Sequence, residues 1–126
     1  MQTVEFILYV KDQQRSCDFY AAVLQQEPEL HVPGMTEFRL SNTCKLGLMP
    51  ENGIARIITP AMPHPAQGNG IPRCELYLLT SDAEEALTKC LNAGASLISA
   101  VQARDWGHKV GYCSDPDGHI LAWAEE

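Results

Sequence analysis

The chain alternates between apolar runs and stretches with helical spacing, and the whole alternation occurs twice. Residues 4–10 form an apolar run with β-branched and aromatic side chains, which predicts a buried strand. Asp12 can cap the helix that follows. The apolar residues on one face of that helix are Cys17, Tyr20, Ala21 and Leu24. Three further strands are predicted over residues 35–40, 44–49 and 54–59.

The second copy begins with a strand predicted over residues 73–80. Ser81 and Glu84 have the spacing of a capping box at the start of the next helix, and Gly94 suits its C-terminal end. The remaining predicted strands cover residues 97–101, 109–114 and 119–124. A shift of 70 residues superposes the copies: Glu5 meets Glu75, Leu8 meets Leu78 and Asp12 meets Asp82. Such a repeat predicts a pair of related units that cannot each cover a sheet alone.

Proline and glycine concentrate between the two copies, over residues 60–72. We therefore expect one domain with a first module at about residues 1–60, a connecting loop at about 60–72 and a second module at about 73–126. A loop of this length is either a plain connector or a lid over a site.

Composition and charge limit the kinds of molecule that the chain can bind. The 126 residues carry nine Lys and Arg against sixteen Asp and Glu, for a net charge of −7. A chain this acidic, without a basic cluster, is unsuited to nucleic acid or to an anionic membrane surface. No apolar run approaches the roughly 20 residues of a spanning helix. The N-terminus shows no basic region before an apolar stretch, so we expect a cytoplasmic protein.

The five cysteines predict neither a zinc knuckle nor a disulfide framework, since their number is odd and no C-x-x-C spacing occurs. We interpret them as small, mostly buried thiols.

Three stretches resemble the vicinal oxygen chelate superfamily, which includes glyoxalases, bleomycin resistance proteins and extradiol dioxygenases. The first is residues 8–12 (LYVKD) together with Ser16, Phe19-Tyr20 and Val23-Leu24. The second is Asp105-Trp106-Gly107, before the penultimate strand. The third is residues 115–119 (DPDGH), which run into Leu121-Ala122-Trp123. Together the three stretches cover almost the whole chain.

The resemblance implies an α+β fold of two tandem βαβββ modules that form a glyoxalase-like pair of half-barrels around a central cavity. It also implies a homodimer and a small-molecule ligand.

Enzymes of this superfamily hold one divalent metal at four symmetry-related positions. By resemblance these positions are Glu5, Gly47, Glu75 and Ala122 here. Glycine and alanine have no donor side chain, and a catalytic site needs about three protein ligands. We therefore expect no metal and no other cofactor, although two carboxylates with waters could hold a hard divalent cation weakly.

Glu5 and Glu75 are the candidate catalytic residues, as an acid and base pair, if both point into the cavity that the resemblance implies. Two neighbouring carboxylates repel, which raises the pKa of one of them. Alternatively, Arg39, Arg73 or Arg104 neutralises the pair, or both carboxylates are solvated. Strand alternation and the turn around Trp106 add candidate ligand-binding residues. These residues are Ile7, Tyr9, Met49, Tyr77, Trp106 and His108.

Three functions remain open at this point, and the first is favoured. The chain could be a metal-free protein similar to bleomycin resistance proteins, which binds a small aromatic or cationic molecule in a metal-poor cavity. It could be a metal-dependent lyase or isomerase resembling glyoxalase I, or a non-catalytic homodimeric regulatory module. The two missing ligands, Gly47 and Ala122, favour a binding protein over an enzyme.

Overall fold

A computed structural model describes residues 2–126 and divides the chain after Asn69 into two compact units. Each unit contains one four-stranded sheet, and the structure is α+β throughout. The expected strand–helix–strand–strand–strand order is present in both units.

Unit 1 ends with a helical segment that follows its last strand. Its strands are β1 (Val4–Val10), β2 (Leu30–Val32), β3 (Met35–Ser41) and β4 (Cys44–Pro50). Its helices are α1 (Gln13–Leu24), α2 (Glu51–Ile58) and a 3₁₀ turn at Pro65–Gly68.

Unit 2 has one helix between its first two strands. Its elements are β5 (Glu75–Leu79), α3 (Ala83–Asn92), β6 (Ser96–Ala103), β7 (Lys109–Ser114) and β8 (Ile120–Glu125). Among residues 2–126, no helix is long and apolar enough to cross a membrane.

The two sheets share one topology, with strand orders β1-β4-β3-β2 and β5-β8-β7-β6. In each sheet the first strand pairs in parallel with the last, and the other pairings are antiparallel. The parallel register joins Glu5 to Lys45 in unit 1 and Glu75 to Ile120 in unit 2.

One predicted strand is wrong, because residues 54–59 lie mostly in helix α2. The fourth strand of unit 1 is instead the short β2, which pairs with β3. The apolar run Ile54 to Ile58 was too short for its period to distinguish strand from helix. Ile54 and Ile58 lie one helical turn apart and are partly buried on either side of the buried Ala55.

Aspartates cap the first helix of both units. Asp12 accepts a hydrogen bond from the Arg15 amide, and Asp82 accepts one from the Glu85 amide, at 3.0 Å in each case. The predicted capping box on Ser81 is therefore wrong by one residue. Asp82 is as good an N-cap as serine, and it matches Asp12 after the 70-residue shift.

The core of each unit lies between its helix and one face of its sheet. In unit 1 the fully buried residues include Tyr20 of α1, Phe38 of β3, and Leu46 and Leu48 of β4. Side chains alternate along a strand, so the neighbouring residues point to the opposite face. That opposite face carries most of the polar and aromatic candidates, and we call it the site face of the unit.

Candidate functional site

The site face of unit 1 combines a carboxylate cluster with an apolar strip. It receives alternate residues from three adjacent strands. These residues are Glu5, Ile7 and Tyr9 of β1, Met35, Glu37 and Arg39 of β3, and Lys45, Gly47 and Met49 of β4. Register pairs Tyr9 with Met49 and Ile7 with Gly47, so the predicted ligand-binding residues Ile7, Tyr9 and Met49 are neighbours.

Glu5 occupies the space that the missing side chain of Gly47 leaves. A Cβ atom at Gly47 would collide with Oε2 of Glu5 and lie 3.0 Å from Cε of Met35. The same atom would lie 3.1 Å from Cγ1 of Ile7. The glycine is therefore required for the observed position of the Glu5 carboxyl group.

The pKa of the Glu5 carboxyl group is raised above its ordinary value. Burial raises its pKa most, and a hydrogen bond to the Glu37 carboxyl group and the charge of Glu37 raise it further. The Lys45 ammonium, whose Nζ lies 3.4 Å from Oε1 of Glu37, partly opposes these effects. Oε2 of Glu5 is buried without a hydrogen-bond partner. The cluster is thus a carboxyl pair that can hold one proton and has one unsatisfied acceptor.

The cation beside this carboxyl pair is Lys45. Arg39 instead forms an ion pair with Glu29, at 3.1 Å between Nε and Oε2. Neither Glu37 nor Lys45 was predicted from the sequence as a site residue. Alternation along β3 would have put Glu37 on the site face, but only the β1–β4 and β3–β4 registers bring all three residues together.

The site face of unit 2 carries a hydrogen-bonded group of aromatic rings. Trp106 Nε1 donates to the Tyr77 hydroxyl oxygen at 2.8 Å. That hydroxyl lies 2.7 Å from Nδ1 of His108, and the two ring centroids are 5.9 Å apart. Since the tyrosine oxygen accepts from Trp106, its own hydrogen is available to His108. The structure therefore brings together three of the predicted ligand-binding residues.

Tyr112 and Arg104 extend this aromatic group, although neither residue was predicted to bind a ligand. Register places Tyr77 and Tyr112 on either side of Ala122. The Arg104 guanidinium lies 5.2 Å from the Tyr112 ring centroid and donates to the Val110 carbonyl oxygen. This is a cation–π contact with a fixed arginine.

Glu75 is exposed at the start of β5, and its charge acts on Tyr112. Burial raises the pKa of the Tyr112 hydroxyl, and the negative charge of Glu75 raises it further. Glu5 and Glu75 thus hold matching places on the first strands of their units but differ in surroundings. Their convergence on one cavity stays a prediction.

Within residues 2–126, side-chain donors are missing at two of the four metal positions that the resemblance gives. Within residues 2–126, no three His, Cys, Asp or Glu side chains lie together as a metal site. Gly47 and Ala122 lack donors at two of the positions that the resemblance gives, and Glu5 is turned toward Glu37.

Comparison with known proteins identifies the family. The model of the glyoxalase/bleomycin resistance protein/dioxygenase superfamily matches residues 2–122. The chain belongs to this superfamily. The resemblance and the fold class predicted from the sequence are therefore confirmed.

Two solved structures have the same fold as this chain. A glyoxalase-related enzyme from Fulvimarina pelagi is 21% identical, with a TM-score of 0.84 over 100% of this chain and 89% of that one. TioX from Micromonospora sp. ML1 is 18% identical, with a TM-score of 0.74 over 98% of this chain and 97% of that one.

A relative without an assigned function also matches. An uncharacterised protein of Mycobacterium bovis is 24% identical over 119 residues, which cover 89% of this chain and 75% of the relative. These similarities extend over nearly the whole chain and support the fold without giving a ligand.

Proposed function

We propose that this superfamily member binds a small organic molecule that has an aromatic ring and a cationic group, without a resident metal. The observation that carries the proposal is the position of Glu5. Its carboxyl group lies over Gly47 and hydrogen-bonds to Glu37, at a position where the family's enzymes would hold a metal ligand.

The carboxyl pair suits a ligand that donates hydrogen bonds and carries positive charge. An ammonium group near the pair would favour the ionised form of the Glu5 carboxyl group. The exposed Ile7 and Tyr9 offer apolar contact beside the charge.

The aromatic group of unit 2 suits a planar ligand. Hydrogen bonds already fix the rings of Tyr77, Trp106 and His108, so little side-chain freedom is lost on binding. Trp106 is exposed and can stack on a ring.

Thermal-shift measurements with three matched probes test this function. Phenethylamine, phenethyl alcohol and phenylacetate share the ring and differ in charge. A ligand that binds only the folded protein raises the melting temperature as its concentration rises. We expect the largest rise with the amine, a smaller one with the alcohol and none with the carboxylate. Equal shifts for all three, or a preference for phenylacetate, would reject a cation site.

Two glutamate variants test which carboxyl group recognises the positive charge of the ligand. Glu5→Gln removes the ionisable group with little change in shape and should abolish the preference for the amine over the alcohol. Glu75→Gln tests whether the matching residue of unit 2 contributes. Glu126→Gln, at an exposed terminal position, is the control for net charge.

Elemental analysis tests the absence of a resident metal. Protein purified without chelator should contain transition metal well below one equivalent per chain. A stoichiometric metal would instead favour the alternative, a metal-dependent lyase or isomerase resembling glyoxalase I.

A further inference from the structure

The side chain of Arg104 joins the two strands that flank the turn over residues 104–108. Its Nη2 lies 2.8 Å from the Val110 carbonyl oxygen of β7. On β6 the same nitrogen lies 3.0 Å from Oγ of Ser99 and 3.1 Å from the Ala100 carbonyl oxygen. One guanidinium group therefore has acceptors on both strands, an arrangement that suits its planar fork of donors.

These acceptors lie where the pairing of β6 with β7 is irregular. The register shifts along β6 between Ser99 and Gln102, opposite residues 110–112 of β7. A bulge removes residues from the ladder and leaves their backbone groups to find other partners. The Ala100 carbonyl oxygen lies in this bulge and accepts a hydrogen bond from Arg104. The arginine therefore holds the two strands together where the ladder is interrupted.

The backbone of Arg104 closes the turn itself. Its amide donates to the His108 carbonyl oxygen at 2.9 Å, and its carbonyl oxygen accepts from the Gly107 amide at 3.1 Å. Gly107 has a φ of 96°, a conformation in which a side chain would be strained. Trp106 and His108, which hydrogen-bond to Tyr77, thus belong to a turn that Arg104 fixes through both its backbone and its side chain.

We infer that Arg104 is a positioning residue for the aromatic group of unit 2, which holds the turn so that Trp106 and His108 reach the Tyr77 hydroxyl group. The consequence for binding rests on the proposed function, since a planar ligand would meet rings whose geometry is set before it binds. Arg104 acts through these rings, because its own guanidinium is engaged by β6, β7 and the Tyr112 ring.

Nuclear magnetic resonance of the indole N–H groups tests the positioning role without any ligand. The chain has two tryptophans, Trp106 and Trp123, and Tyr77→Phe shows the Trp106 signal without its hydroxyl acceptor. Arg104→Lys keeps the charge but lacks the planar fork, so the Trp106 signal should move toward its position in Tyr77→Phe. The signal of Trp123, which is buried in β8, should stay in place.

Two results would overturn the assignment of Arg104. One is an unchanged Trp106 signal in folded Arg104→Lys. The other is equal displacement of the Trp106 and Trp123 signals, which would mark a general structural role.

A second variant covers the case in which Arg104→Lys does not fold. Ser99→Ala removes one acceptor of the guanidinium group and keeps the arginine. It should displace the Trp106 signal in the same direction by a smaller amount, and no displacement would again overturn the assignment. Arg73→Lys, the matched control, exchanges an exposed arginine in the segment before β5 and should leave both indole signals unchanged.

Binding of phenethyl alcohol, which has the ring without the charge, tests the consequence for the ligand. Arg104→Lys should weaken its affinity about tenfold, because the rings of two side chains must then be ordered on binding. The preference for phenethylamine over phenethyl alcohol should remain. Full affinity in a variant whose Trp106 signal has moved would reject the positioning role. If no probe binds the wild type, the proposed function fails, while the indole signals still decide the role of Arg104.

Discussion

At the scale of single residues, Glu5 shows how a missing side chain can define a site. Gly47 gives the carboxyl group its space, burial keeps water from one of its oxygens, and Glu37 shares its proton. The residue type alone would predict an ionised surface glutamate. The neighbours raise its pKa instead, because two carboxylates in contact cannot both ionise without cost.

The pH dependence of stability follows from the raised pKa of Glu5. As the pH rises, the unfolded chain releases this proton before the folded chain does. The contribution of Glu5 is therefore full below the ordinary pKa of glutamate and is lost as the pH rises through the raised value. We expect Glu5→Gln to exceed the wild type in free energy of unfolding by about 1 kcal/mol at neutral pH, with the difference vanishing in acid.

Urea denaturation at acidic and neutral pH measures this difference. Glu75→Gln is the matched control, since Glu75 holds the corresponding position but is exposed. Equal destabilisation of Glu5→Gln at both pH values would contradict the prediction.

The sequence predicted Glu5 as a candidate but could not predict its partners. Glu37 and Lys45 lie far from Glu5 along the chain and meet it only through the registers of two strand pairs. Tyr77, Trp106 and His108 were all predicted as ligand-binding residues. Their hydrogen bonds to one another depend on the path of the loop before β7, which no local pattern specifies.

At the scale of elements, the prediction from sequence was most accurate where the hydrophobic period and a helix-capping residue indicated the same element. Strand β1 and helix α1 occur close to their predicted positions, with Asp12 as the N-cap. Helix α2 was predicted as a strand because its eight residues are too few for the hydrophobic period to distinguish a helix from a strand. Strand β2 was not predicted because its three residues are too few to show any period.

The cap of α3 gives a direct test at this scale. Asp82→Ala removes the acceptor for the Glu85 amide and should cost about 1 kcal/mol of stability. Ser81→Ala, the matched control, should change stability little, since Ser81 is exposed outside the helix. Denaturant midpoints of the two variants measure both effects. If Ser81→Ala lost more stability than Asp82→Ala, Ser81 would be the N-cap, as the predicted capping box requires.

At the scale of the whole molecule, the fold was predicted mainly from the internal repeat. The order of elements and three short motifs were enough to assign the superfamily, because topology depends on many residues together. The ligand could not be predicted in the same way, since recognition depends on a few side chains.

The homodimer implied by the resemblance remains a prediction. Large apolar side chains are exposed on the chain, among them Ile57 at 71%, Ile98 at 57% and Phe6 at 56%. Exposed apolar surface of this kind often marks an interface. Light scattering after gel filtration should give twice the chain mass of 13.9 kDa. A monomer mass that persists across a wide range of protein concentrations would exclude the dimer.

The parallel pairing of β1 with β4 has a consequence for synthesis on the ribosome. In its sheet β1 pairs with β4 alone, and its Val4 meets Cys44. The apolar segment Val4–Val10 therefore has no strand partner while α1, β2 and β3 are being made. Such segments are prone to aggregate when exposed during folding. We expect the nascent chain to need shielding, by α1 or by a chaperone, until β4 has emerged.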